Sequence, residues 1–226
     1  MSEAAPGLPD APDFATPERA RIAEAVRELI DAVMTTEADP EVLLAVADDA
    51  QRLADRLGAR RDQLPGYAPR SHGDYLPRSP IVGEASPLSP RIDWELSDDA
   101  LDGKPGVEAD GTFGAPYEGP PGHVHGGMIA LAFDEMLGIA NIAAEHPGMT
   151  ARLIVHYRKP TPLFHRLHFR AAVDRIEGRR IMSRAQLWDG ETLCAEAEGL
   201  FVRPLPERAV EIFGAAAAEH ISDQPG

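Results

Sequence analysis

Apolar and polar residues along this chain change period several times, and the changes divide it. From Ile22 the apolar positions recur at Val26, Leu29, Ile30 and Val33, the spacing of one helix face. Thr16-Pro17 in front supplies a capping hydroxyl and a proline at the first helical position. Asp39-Pro40 repeats that start signal. Leu43, Val46, Ala47, Leu53 and Leu57 then trace a second amphipathic helix that Gly58 ends. Two short helices bury little by themselves, so both are expected to pack on the main domain or on a partner subunit. Residues 63–90 lose all periodicity and carry prolines at 65, 69, 77, 80, 87 and 90, as a linker does.

The next pattern is apolar nearly all round. Met128, Ile129, Leu131, Phe133, Met136, Leu137, Ile139 and Ile142 cover most faces of a helix running from His125 to about Ala144. Such a helix is buried rather than amphipathic. Asp134, Glu135 and Asn141 interrupt it, which argues against a membrane span. Asp134 is therefore expected as a lone carboxylate in mid-helix burial. Glu135, about 100° further round the axis, is expected at the rim or in a salt bridge.

The period then drops to two. Arg91–Leu96 reads as a first strand and Gly111–Gly114 as part of a second. After the helix come strands over 150–158, 167–176, 180–188 and 192–203, with turns at Glu177-Gly178 and Asp189-Gly190. Together these predict an α+β architecture: an antiparallel sheet wrapped around one buried central helix, the hotdog arrangement, with an N-terminal helical extension. The divisions are 1–62 for the extension, its first 14 residues disordered; 63–90 for the Pro-rich linker; 91–204 for the sheet domain; and 205–226 for a tail, briefly helical around 207–220.

Composition changes this picture only in its partners. The net charge of −15 argues against nucleic acid and anionic membrane. One cysteine, Cys194, permits no intramolecular disulfide. The acidic, Pro-rich N-terminus has neither a signal-peptide nor a transit-peptide pattern, so a cytoplasmic location is expected. Against the overall sign, residues 151–184 hold nine bases and two acids. That run is either the solvated face of strands or a rim for an anionic substrate such as a phosphorylated cofactor.

Candidate chemistry lies at the helix start. His125-Gly126-Gly127 opens the helix, whose first N–H groups lack internal acceptors and carry the positive end of the dipole. Glycines let a ligand approach them, so the site suits an oxyanion or a phosphate. The alternative is that the glycines only relieve crowding. Asp134 follows His125 by nine residues, a half-turn round the axis and roughly 13 Å along it. One helix cannot bring both ends to one small substrate, whereas two helices antiparallel across a two-fold axis can, which predicts a homodimer or a dimer of dimers. His123 and His125 make half a metal site at most, and with no cysteine or acidic cluster beside them no metal is expected. Residues 1–70 carry no side chain assigned to chemistry and are expected to be dispensable for it.

The run His125-Gly126-Gly127…Asp134, then Gly148-Met149-Thr150-Ala151…Tyr157-Arg158-Lys159-Pro160, Glu177-Gly178-Arg179 and Ala195–Val202, resembles the PaaI-type acyl-CoA thioesterases of the hotdog superfamily. The similarity extends over roughly residues 92–204 and is greatest to the subgroup of thioesterase superfamily members 4 and 5. It implies hydrolysis of acyl-CoA without a cofactor. Gly126 would offer its N–H to the thioester carbonyl and His125 would shape that turn. Asp134 of the opposing subunit would act as nucleophile or as base for water, and Thr150 would position the water or the carboxylate. Gly127 would join the substrate site. Arg158 and Lys159, with Arg179 and Arg180 behind them, would meet the phosphates of coenzyme A. Some relatives carry an asparagine six residues before the histidine as a second carbonyl donor; here that position is Gly119. The competing reading is a hotdog protein that binds acyl-CoA without turnover or serves as an assembly partner.

Overall fold

A computed structural model describes residues 15–58 and 75–205. The expected N-terminal disorder and the 207–220 helix lie outside the described residues. Helix α1, Pro17–Thr35, starts as expected, with the Thr16 hydroxyl accepting from the Arg19 N–H at 3.4 Å. Helix α2, Pro40–Leu57, ends on Gly58 in the left-handed region. The two helices part company in packing. α1 buries Ala23 and ties to the sheet domain through Arg27, whose guanidinium donates to the Ser86 carbonyl at 2.6 Å. α2 buries nothing, and Val42, Leu43, Leu44 and Leu53 on it are exposed.

Among the described residues, six strands form one antiparallel sheet in the order β1-β2-β4-β5-β6-β3. They are β1 Asp93–Leu101, β2 Lys104–Gly111, β3 Met149–Tyr157, β4 Leu167–Glu177, β5 Arg180–Asp189 and β6 Thr192–Val202. Helix α3, Gly126–Ala143, lies across β2 to β6. Phe133, Met136, Leu137 and Ala140 on its covered face meet Phe169, Leu187, Ala197 and Phe201 of the sheet in one core cluster. This is the expected helix clasped by a sheet.

The second strand differs from its expected place. It is β2, upstream of Thr112–Gly114, and Asp102-Gly103, both at positive φ, turn the chain into it. Its Pro105, Gly106 and Gly111 lower strand propensity, which hides it in the sequence. Packing requires the first glycine. A Cβ on Gly106 would stand 2.0 Å from the Ala171 carbonyl oxygen of β4, so any side chain would force the two strands apart.

The Pro-rich stretch also differs from a simple linker over its described part. Ser79, Ile81 and Ser89 are fully buried. Ile81 joins the core cluster, and the Ser89 hydroxyl donates to the Ile81 carbonyl at 2.7 Å. Prolines there set tight turns on the surface of the sheet domain rather than a free tether.

Candidate active site at the helix start and the edge strand

The sheet leaves one stripe of α3 uncovered. Gly127, Leu131 and Ile142 are exposed, and Ala130, Asp134 and Gly138 are partly so. Asp134 is therefore not the buried carboxylate the sequence suggested. It sits on the open stripe, where its Oδ1 accepts from the Thr150 hydroxyl at 2.7 Å. Thr150 lies near the start of β3, an edge strand whose sole neighbour among the described residues is β6.

The buried carboxylate is the next residue. Glu135 is 8% exposed, its Oε2 accepts from the Tyr75 hydroxyl at 2.8 Å, and its Oε1 has no partner among the described residues. The 100° step along the helix carries it off the open stripe and under the Pro-rich segment. Burial pushes its carboxyl above the usual carboxylate range; Tyr75 and Ser79 pull it back, and the neighbouring Asp134 adds to the rise. A folded-state pKa above the unfolded one means that the native chain holds the extra proton between the two values. The resulting stability is full below the unfolded pKa and is lost as pH rises through the folded one. Glu135→Gln removes that loss. Urea unfolding between about pH 4 and about pH 8 is expected to show wild type weakening relative to the variant as pH rises; parallel profiles would show that Glu135 is ionised in both states.

The helix start divides its donors. The His125 ring caps the helix, its Nδ1 accepting from the Gly127 N–H at 3.0 Å. That engages the Gly127 amide within the cap. The Gly126 N–H has no acceptor among the described residues. The Gly126 carbonyl accepts from the Tyr157 hydroxyl of β3 at 2.7 Å, a tie that spacing alone could not reveal. Gly119 packs so tightly that a Cβ on it would lie 2.7 Å from the His125 Cα. An asparagine there has no room, so a second side-chain donor at that position is excluded sterically.

The four bases do not converge within one chain. Arg158 and Lys159 follow Tyr157, which pairs with Ala195 of β6; Arg180 pairs with Val202 at its other end. Seven residues of strand separate them, about 23 Å. Arg158 is paired with Glu196 at 2.7 Å, and the Arg179 guanidinium donates to the Arg203 carbonyl at 2.8 Å. Arg179 and Arg180 thus lie towards the Thr150 end, and Arg158 and Lys159 towards the Tyr157 and Gly126 end.

Known proteins match this geometry. The family model described as thioesterase superfamily matches residues 121–196, from the loop before the histidine into the last strand. A thioesterase superfamily protein of known crystal structure is 32% identical and superposes with a TM-score of 0.71, over 85% of this chain and 93% of its own. The chain belongs to the thioesterase superfamily. Curated relatives within that reach include the acyl-coenzyme A thioesterase THEM4 of Xenopus laevis, 38% identical over 94 residues, 40% of this chain and 42% of the relative. The THEM4 of Mus musculus is likewise 38% identical, over 97 residues and 42% of each chain. The matched segment thus spans about two fifths of the curated relatives' length. The central helix, the His125-Gly126-Gly127 turn, Asp134 and strands β3, β4 and β5 fall inside residues 121–196 of the family match, whereas β1 and β2 lie before it.

Proposed function

We propose that this chain hydrolyses acyl-CoA thioesters to a free acid and coenzyme A. The observation that carries the reading is the pairing of a carboxylate held by a hydroxyl, Asp134 with Thr150, with an unengaged amide at a helix start, Gly126, on one open face of α3. The Gly126 N–H, aided by the helix dipole, polarises the thioester carbonyl and stabilises the oxyanion that forms on attack. Asp134 either attacks the carbonyl carbon, expelling the thiolate and leaving an anhydride for water to open, or takes a proton from the water that attacks. Thr150 fixes the orientation of the carboxylate. Assay of thiol release across a panel of acyl-CoAs tests the reading, and silence across the whole panel would leave a binding or assembly protein.

Gly126 and Asp134 are separated by about 12 Å along one helix, so the site closes between two copies. Two features support that assembly. Among the described residues the outer edge of β3 is unpaired, with Ile154 on that strand exposed, and the open stripe of α3 exposes Leu131 and Ile142 beside Asp134. Such an edge and stripe are ordinarily covered. The two-fold axis that brings the partner subunit's Asp134 to Gly126 also brings the partner subunit's Arg179 and Arg180 towards Arg158 and Lys159. Four bases then gather where the coenzyme A phosphates lie. Sedimentation at enzyme concentrations that sustain full turnover is expected to give a dimer or a larger even assembly; a fully active monomer would overturn the shared site.

A further inference from the structure

One edge strand holds both groups that the proposed reaction uses. Near the start of β3 the Thr150 hydroxyl donates to Asp134, and at its end the Tyr157 hydroxyl donates to the Gly126 carbonyl at 2.7 Å. Burial does not explain the second tie, because Tyr157 is 54% exposed. A carbonyl in the first turn of a helix ordinarily gives one lone pair to the N–H four residues on and turns the other to solvent. At Gly126 that other lone pair takes the tyrosine hydroxyl instead.

Tyr157 stands on fixed backbone. It pairs with Ala195 of β6, and the next two N–H groups, those of Arg158 and Lys159, both donate to the Cys194 carbonyl, at 2.8 and 3.0 Å. The ring also fits the glycine. A Cβ added to Gly126 would stand 3.3 Å from both Cζ and the hydroxyl oxygen of Tyr157, and would press the ring back from its acceptor. Gly126 needs such a support, because a residue without Cβ holds its dihedral angles loosely and its N–H turns with them. The peptide before Gly126 is fixed at the His125 carbonyl, which accepts from the Met128 and Ile129 N–H groups at 2.9 and 3.2 Å. The peptide after it is fixed at the Gly127 N–H by the His125 ring and at the Gly126 carbonyl by Tyr157.

We propose that Tyr157 is the positioning residue for the Gly126 N–H: its hydroxyl locks the peptide that follows the donor, so that the donor meets the developing oxyanion already aimed. The proposal rests on the thioesterase reading above. A donor to an oxyanion is effective because it need not reorganise as charge develops, and a glycine free to swing would lose that advantage. Tyr157 does not itself react, since its hydroxyl proton is engaged by the Gly126 carbonyl. Because the site closes between two copies, each β3 serves two sites: its Tyr157 end aims the donor of one, and its Thr150 end holds the carboxylate of the other.

The test is Tyr157→Phe in the full chain, which keeps the ring and removes the hydroxyl. With the acyl-CoA that wild type hydrolyses fastest, kcat is expected to fall about tenfold, less than for outright loss of an oxyanion donor, while KM stays within about twofold. A variant whose loss lies in KM would make Tyr157 a substrate-binding residue, and unchanged kinetics would make the tie structural; either result overturns the proposal. Amide relaxation in 15N-labelled protein without substrate supplies a readout that a merely structural tyrosine would leave alone. The order parameter of the Gly126 N–H is expected near about 0.85 in wild type and to drop towards about 0.6 in Tyr157→Phe, with Ala140 further along α3 unchanged. An equal value at Gly126 in both proteins, or a drop spread along the whole helix, overturns the proposal. If wild type hydrolyses no acyl-CoA, the thioesterase reading fails by itself and relaxation alone decides the tie. A loosening confined to the helix start then sustains the hold of Tyr157 on Gly126, and no loosening ends it.

Discussion

Asp134→Asn is expected to lower kcat at least about a hundredfold, the usual loss on removing a general base or its nucleophilic equivalent, while leaving the fold and acyl-CoA binding in place. The substitution changes charge and hardly changes volume. Asp134 sits on the open stripe of α3 with one hydrogen-bond partner among the described residues, the Thr150 hydroxyl at 2.7 Å, which an amide oxygen can still accept from. Nothing in the core is disturbed, so stability should move little. Both chemical routes require an ionised carboxylate, and an amide supplies neither a nucleophile nor a base. Thr150→Ala should cost less, because the hydroxyl orients the reacting group and does not itself react. Steady-state kinetics on a readily hydrolysed acyl-CoA decide the matter. A near-normal kcat for Asp134→Asn would make the carboxylate structural and the mechanism wrong, even for an active thioesterase.

One residue earlier the opposite result is expected. Phe133 is fully buried, stacked edge-on against Phe169 of β4 with ring centroids 6.0 Å apart. Phe133→Ala removes the ring from the middle of the core cluster and leaves a cavity that a helix pinned between five strands has little freedom to collapse. The expected loss is about 3–5 kcal/mol, the range for burying nothing where an aromatic ring stood. For a chain of this length that corresponds to a fall in melting temperature of roughly 6–20 °C. Thermal unfolding at fixed protein concentration measures it, since association shifts the midpoint as well. A loss under about 1 kcal/mol would mean that the helix relaxes into the space, and that the sheet holds it less tightly than the packing indicates.

These neighbours show what a sequence can and cannot convey. The all-round apolar pattern from Met128 to Ile142 was enough to predict α3 and its enclosure by strands, because composition at that density leaves a helix nowhere but the core. The turns Glu177-Gly178 and Asp189-Gly190 likewise announced the hairpins β4–β5 and β5–β6. β2 was illegible because its glycine and proline read as breakers, and only the approach of Ala171 to Gly106 explains the glycine. Which of two adjacent carboxylates is buried was also illegible. The helix pattern fixes the angle between Asp134 and Glu135 but not which side the sheet covers. Tyr75 meets Glu135 and Tyr157 meets Gly126 from 60 and 31 residues away in sequence, and no local spacing signals such contacts. The basic run was visible as charge, yet its division between two ends of the sheet required the strand register.

The place of β3 in the sheet also sets an order of events during synthesis. β3 carries Thr150, but its one sheet partner among the described residues, β6, is the last of the six strands to leave the ribosome. Until residues 192–202 emerge, β3 has no ladder to join, and the apolar helix before it has no complete roof. Long-range pairing of this kind is slow, and the surface it leaves open meanwhile is prone to aggregate. The ladder that holds Thr150 in β3 is thus among the last to form. A ribosome that stalls before β6 releases a chain with both Thr150 and Asp134 present and without the ladder that fixes β3 in place.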